Sequence, residues 1–278
     1  MMVWHSEVVA TPDPPSPGVH NPIHDAEGAD AAGYAGALVA GVRTYGWAAQ
    51  TLVEALGEDW RHRGWVDITL RRPLFADEKL AIKVTEAGNT YAVSCVVNEP
   101  LGAETGEGAK LVMDGDAGLG NAPWLSSLTP PDIHPPEDTE SPLPSYELDT
   151  VPLQVPMHPL GAWVTADLAR KMVAHDLGIS DLHYQGEGVI PIHPYFLAGR
   201  MAPLTRHNFT YGSTIHVRSQ IQHLREGRSD REIVVGARIV DAYERKGHWY
   251  QVLDGVVSDE DGALALIRHH TIFRPRPA

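Results

Sequence analysis

Ten of the chain's 22 prolines fall between Pro123 and Pro159, with Asp132, Glu137, Asp138 and Glu140 among them. Proline fixes φ and carries no amide hydrogen, so this stretch forms neither a regular helix nor a central strand. Residues 116–158 therefore read as a linker, partly extended, between two halves at 1–115 and 159–278. A chain of 278 residues is long enough for that division.

Each half reads as helix first, then strands. Leu38, Val42, Tyr45, Ala49, Leu52 and Leu56 recur at spacings of four and three, the period of a helix with one apolar stripe. Arg43, Gln50 and Glu54 fall off that stripe, and Gly57 suits its C-terminal cap. Val66, Ile68 and Leu70 alternate with Asp67, Thr69 and Arg71, Leu80, Ile82 and Val84 with Lys79, Ala81 and Lys83, and Tyr91, Val93, Cys95 and Val97 recur at every second position, which predicts strands. Residues 109–113 suggest a fourth strand, and Gly115, Gly118 and Gly120 a turn. In the second half Thr165 suits a helix N-cap, and 193–207 reads as a helix interrupted at Pro203. Strands follow over 213–223, 231–243, 248–258 and 263–273. The pattern predicts an α+β protein of two repeats, each an antiparallel sheet around one long helix.

Composition narrows the function. The net charge of −14 argues against a nucleic-acid-coating protein, whose affinity comes from Lys and Arg. No apolar run approaches the roughly 18–20 residues of a membrane span. The opening Met1-Met2-Val3-Trp4-His5 does not read as a secretory signal, so the expected location is cytoplasmic. The single cysteine, Cys95, alternates with Val93 and Val97 and reads as core. His20 and His24 are four apart, but Pro22 lies between them and no third ligand is near, so no metal is expected. His269 and His270 are adjacent on a strand, point to opposite faces and read as surface or interface residues. The glycines at 115, 118 and 120 match no dinucleotide loop, and no cofactor is expected.

The most informative stretch is His20-Asn21-Pro22-Ile23-His24, followed by Gly33-Tyr34 and Leu38-Val39-Ala40-Gly41 at the start of the long helix. Pro22 stiffens the loop and holds Asn21 out of the α region. A histidine on such a loop can exchange protons near neutral pH. Unpaired amides in a helix's first turn can donate to a carbonyl oxygen or oxyanion.

These residues resemble the MaoC-like (R)-specific enoyl-thioester hydratases of the double hot dog fold. Arg72-Pro73-Leu74-Phe75-Ala76-Asp77-Glu78-Lys79-Leu80 resembles that family's turn between strands. The second half is similar more faintly, through Val164-Thr165, His193-Pro194-Tyr195-Phe196 and Arg268-His269-His270-Thr271-Ile272-Phe273. The resemblance implies addition of water to a 2-enoyl thioester of coenzyme A or a carrier protein, or the reverse dehydration. It implies His24 as the catalytic histidine, Gly41 as the amide facing the thioester oxygen and Asn21 as the residue shaping the turn. Leu38 and Tyr45 are expected in the pocket lining. Arg71 and Arg72, with Arg200 and Arg206, are candidates to meet the phosphates of the carrier. Exposed sheet edges make a homodimer an expectation.

The chain departs from the family pattern in three ways. The aspartate expected two residues before Asn21 is Val19. The strand and short helix expected before the motif are reduced to the proline-rich piece 12–18. The motif also lies in the first repeat rather than the second. Asp25 beside His24, His20, Asp13, or His193 or Tyr184 from the second half are the candidates to replace the lost carboxylate. Otherwise the site does other chemistry on thioesters, such as hydrolysis, or only binds an acyl chain.

Overall fold

Leu80, Ile82 and Val84 put three apolar side chains on one face of a strand while Lys79 and Lys83 face water, and most strands of the first half alternate in this way. The computed structural model describes residues 1–14, 21–98 and 108–276. Ten strands form a single antiparallel sheet: β1 (Val3–Val9), β2 (Gly64–Leu70), β3 (Lys79–Ala87), β4 (Thr90–Val97), β5 (Lys110–Leu119), β6 (Leu160–Val164), β7 (Ile215–His223), β8 (Arg231–Arg245), β9 (His248–Asp259) and β10 (Gly262–Arg274). Their order is β1-β3-β4-β5-β2-β7-β10-β9-β8-β6. The second five repeat the first five in reverse, so the halves are related by a pseudo-twofold at the β2–β7 seam. There Trp65–Thr69 pair with Arg218–Gln222.

The short helix α1 (Ala26–Ala31) precedes α2 (Gly41–Leu56), the central helix of the first half. Tyr45, Ala49 and Leu52 bury the predicted stripe against the sheet. Leu38 lies before the helix, and Gly57 ends it at φ +84°, a conformation that costs glycine little. After α3 (Trp60–Arg63), helices resume with α4 (Ala166–Lys171), capped by the Thr165 hydroxyl, which accepts from the Leu168 amide. The counterpart of α2 is broken into α5 (Pro194–Ala198) and α6 (Met201–Asn208). The break falls at Gly199–Arg200, not at Pro203. Pro203 sits in the first turn of α6, where an amide hydrogen has no intrahelical acceptor to lose. This is the double hot dog arrangement, with one core running through both halves.

Three other expectations need correction. A full strand, β1, precedes the motif, so that strand is not lost, and the short helix α1 follows the motif. The strand expected over 109–113 extends to Leu119, past the boundary at 116. Gly115 and Gly118 lie inside that strand, where a Cβ on Gly115 would stand 2.0 Å from the Asp67 carbonyl oxygen; only Gly120, at φ +79°, follows at the turn. Arg43, though off the apolar stripe, is also buried.

The proline-rich segment is a strap on the second half that crosses its outer face near Asp254, enters the core at Tyr146 and then follows the β8 edge. The Thr129 amide donates to Asp254 on β9 at 2.7 Å, Tyr146 packs among Phe209, Tyr211 and Phe273, and the amides of Gln154 and Met157 donate to β8 carbonyls. Residues 251–259 of β9 are consequently buried on both faces, while β4 in the first half alternates.

Candidate active site

Pro22–His24 form one 3-10 turn, with the His24 amide on the Asn21 carbonyl. Ile23 packs with Leu38 and Phe75 in a small satellite core, so the motif and the Arg72–Leu80 turn support each other. The result holds His24 at the start of α2.

The His24 ring is held from one side. Its Nδ1 lies 2.7 Å from the Leu38 carbonyl oxygen and 3.0 Å from Asp13 Oδ2. Both neighbours only accept, so Nδ1 carries the hydrogen and Nε2 presents a lone pair. Asn21 Nδ2 stands 3.3 Å from that Nε2. Asp13 is itself held by the Ala40 amide at 3.0 Å and by Arg43 Nη1 at 3.0 Å. Arg43 also donates to the Thr11 carbonyl and hydroxyl, both at 2.6 Å, and to the Asp176 carbonyl. A carboxylate thus does reach His24, and it comes from Asp13. Asp13 does not line the cavity and acts on the ring from behind.

A cavity of about 440 Å³ opens beside this turn and is walled by both halves. Asn21, His24, Leu38 and Gly41 line it from the first half, with Arg71 and Arg72 at an exposed part of the wall. Gly41 is the first residue of α2, so its amide has no intrahelical acceptor. Arg71 pairs with Asp114 at 2.7 Å, whereas Arg72 makes no ion pair among the described residues. The lining is mostly apolar, through side chains such as Val42, Leu70, Ile215 and Ile272.

Asn21 joins the halves. Its Nδ2 donates to the Thr214 carbonyl at 2.8 Å, and its Oδ1 accepts from the Thr214 amide at 3.3 Å. Its carboxamide therefore pairs with Thr214 as a strand backbone would.

Six expected site residues lie elsewhere or are committed to other roles. Asp25 caps α1, accepting from the Gly28 amide at 2.7 Å, and does not line the cavity. Tyr45 is buried in the core, where its hydroxyl hydrogen-bonds His223 Nε2 at 2.9 Å. His193 is buried at the N-cap of α5, its Nδ1 accepting from the Tyr195 amide, and burial lowers its pKa to about 3. Tyr184 bonds Arg61 in that same interior region. Arg200 stacks on Phe196 and Arg206 on Tyr211, so neither guanidinium stands in the cavity wall. His20 and Val19 lie outside the described residues.

The second half adds a polar wall that the sequence reading missed. His216 Nε2 is 2.8 Å from Ser219 Oγ, which is 2.9 Å from His269 Nδ1. The two imidazoles are 4.5 Å apart between centroids, and both line the cavity. His269 is therefore buried at the site, not a surface residue as expected. Burial pushes the His216 pKa down to about 4, helped by His270 and opposed by the Arg218 backbone, and pushes His269 well below its ordinary value. Both rings are neutral near pH 7. A period of two places residues 216 and 219 on opposite faces of a strand. A β-bulge brings them together: His216 pairs with Thr271 and Arg218 with His270, leaving Val217 as the extra residue.

Among the described residues no group of three or more His, Cys, Asp or Glu is placed to hold a metal ion. Cys95 is buried, and burial raises its thiol pKa. No helix is long and apolar enough to cross a membrane among the described residues.

No family model and no curated protein matches the chain. Among solved structures, it is similar to a MaoC-like dehydratase at 13% identity and a TM-score of 0.57, covering 91% of this chain and 90% of that one. It is similar to a MaoC domain dehydratase protein from Chloroflexus aurantiacus at 10% identity and a TM-score of 0.62, covering 100% and 95%. A conserved Mycobacterium tuberculosis protein with a double hot dog fold matches at 13% identity and a TM-score of 0.59, covering 91% and 88%. At these identities the likeness establishes the fold.

Proposed function

We propose that the chain hydrates 2-enoyl thioesters, or dehydrates 3-hydroxyacyl thioesters in the reverse direction. The observation that carries this reading is His24. Asp13 and the Leu38 carbonyl fix its tautomer, and it lines a cavity shared with the first amide of α2. The apolar lining suits an acyl chain. Arg72, exposed and without an ion pair among the described residues, suits the phosphates of coenzyme A or of a carrier-protein arm.

The proton path uses one imidazole. His24 Nε2 takes a proton from water as the water oxygen bonds C3. The C2–C3 π electrons shift toward the thioester oxygen, which accepts from the Gly41 amide. As the enolate collapses, the imidazolium returns its Nε2 proton to C2, so the hydroxyl and hydrogen of one water molecule are both added. Asp13 stabilises the imidazolium between the two steps.

Hydrolysis is the second reading, because Asp13 leaves His24 as the one acid–base group the motif places in the cavity, and hydrolysis needs one base. An assay on crotonyl and longer 2-enoyl thioesters of coenzyme A, following enone absorbance and free thiol separately, distinguishes the two. Hydration removes the double bond without thiol, and His24→Ala lowers it by roughly 10²–10⁴-fold. Thiol release with the double bond intact favours hydrolysis. Binding without turnover of either kind leaves an acyl-binding protein.

A further inference from the structure

We infer that His216, a residue of the second half, supplies the second hydrogen-bond donor to the thioester oxygen, opposite the Gly41 amide. The assignment rests on the thioester reading above and extends it across the seam between the repeats.

His216 Nδ1 is turned to the start of α2, 3.0 Å from the position that a Cβ on Gly41 would occupy. An oxygen held by the Gly41 amide therefore lies beside an imidazole nitrogen. The other ring nitrogen is already engaged by Ser219 Oγ at 2.8 Å, and that hydroxyl by His269 Nδ1 at 2.9 Å. Ser219 has one hydrogen, and when it is shared within the triad the three groups have two arrangements. In the first, His269 Nδ1–H donates to Ser219, Ser219 donates to His216 Nε2, and His216 Nδ1 carries a hydrogen toward the cavity. In the second all three directions reverse, and Nδ1 presents a lone pair. A thioester oxygen only accepts, so a bound substrate selects the first.

Burial keeps His216 neutral at working pH, which matches the task. A neutral imidazole donates to developing negative charge without giving up its proton, as preorganised oxyanion donors do. Ser219 and His269 act through His216 and are positioning residues. The side chain that Gly41 lacks is also accounted for, since any Cβ there crowds both His216 and Leu70.

The test compares the full-length parent with His216→Phe, His216→Gln, Ser219→Ala and Ser219→Thr in the hydration assay. His216→Phe is expected to lower kcat by roughly 10²–10³-fold with KM within about threefold, the loss typical of one oxyanion donor. His216→Gln, which keeps an N–H, recovers at least tenfold of that loss. Ser219→Ala falls about tenfold and Ser219→Thr less. Independently of turnover, ¹⁵N spectra of the labelled full chain with butyryl-coenzyme A are expected to show His216 protonated at Nδ1. An active parent whose His216→Phe variant keeps kcat within about threefold overturns the assignment, as does an Nε2-protonated His216 in the loaded protein. A parent that neither hydrates the double bond nor binds butyryl-coenzyme A overturns the thioester reading itself, and this assignment with it.

Discussion

Asp13 and His24 are far enough apart in the chain that no motif spacing joins them, yet they stand 3.0 Å apart in the fold. Arg43 and the Ala40 amide hold the carboxylate, and the Leu38 carbonyl independently fixes the His24 tautomer. Loss of the Asp13 charge should therefore weaken catalysis without abolishing it. Asp13→Asn is expected to lower kcat by about 10- to 100-fold, less than the roughly 10²–10⁴-fold expected when an acid–base group is removed outright. Equal losses in the steady-state rates of Asp13→Asn and His24→Ala would contradict this division of roles. The placement of His24, Asn21 and Gly41 at one cavity was legible because they sit in one short loop and the helix start that follows. Tyr45 and His193 were not, because periodicity tells which face of an element is covered but not whether it faces a cavity or packed core. Tyr45 lies further along the buried stripe and meets His223. His193 spends its Nδ1 on capping α5.

At the level of elements, first-half strands such as β3 and β4 were legible because alternation survives where one face meets water. β1 and β6 were missed: β1 lies at the N-terminus ahead of the proline-rich piece, and β6 is a five-residue edge strand between the strap and a helix cap. The bulge in β7 hid the His216–Ser219 pair, since one extra residue changes which side chains share a face. Asn21 links these elements by clamping the motif turn onto Thr214 just before β7. Asn21→Ala removes two hydrogen bonds that fix the distance between His24 and the second-half wall. With about 0.5–1.5 kcal/mol net per bond, a fall in kcat/KM of roughly 10-fold or more is expected. Thermal unfolding should shift by only a few degrees, because the core through both halves is untouched. A large loss of Tm with kcat/KM unchanged would show that the clamp serves stability alone.

For the molecule as a whole, buried histidines set the response to acid. Burial lowers the pKa of His193 to about 3 and of His216, His223 and His270 to about 4. Unfolded, these rings titrate near 6.5, so between about pH 6.5 and pH 4 the unfolded chain binds more protons than the folded one. Stability is then full above about pH 6.5 and declines as pH falls through that window, by on the order of 1–2 kcal/mol per histidine between pH 7 and 5. Urea unfolding midpoints at pH 7, 6 and 5 should fall in that order; a flat profile would mean that these rings are not buried neutral. The strap adds an asymmetry, because it buries β9 on both faces while β4 of the first half keeps one face to solvent. The seam, by contrast, owes nothing to chain continuity: β2 and β7 meet through their own backbones, and the cavity walls come from either side of it. Severed near Gly120, the two pieces would keep complementary edges and one shared pocket, the strap travelling with the latter piece. The peptide connection fixes their ratio at one to one and their mutual concentration, which two separate pieces would have to regain by binding.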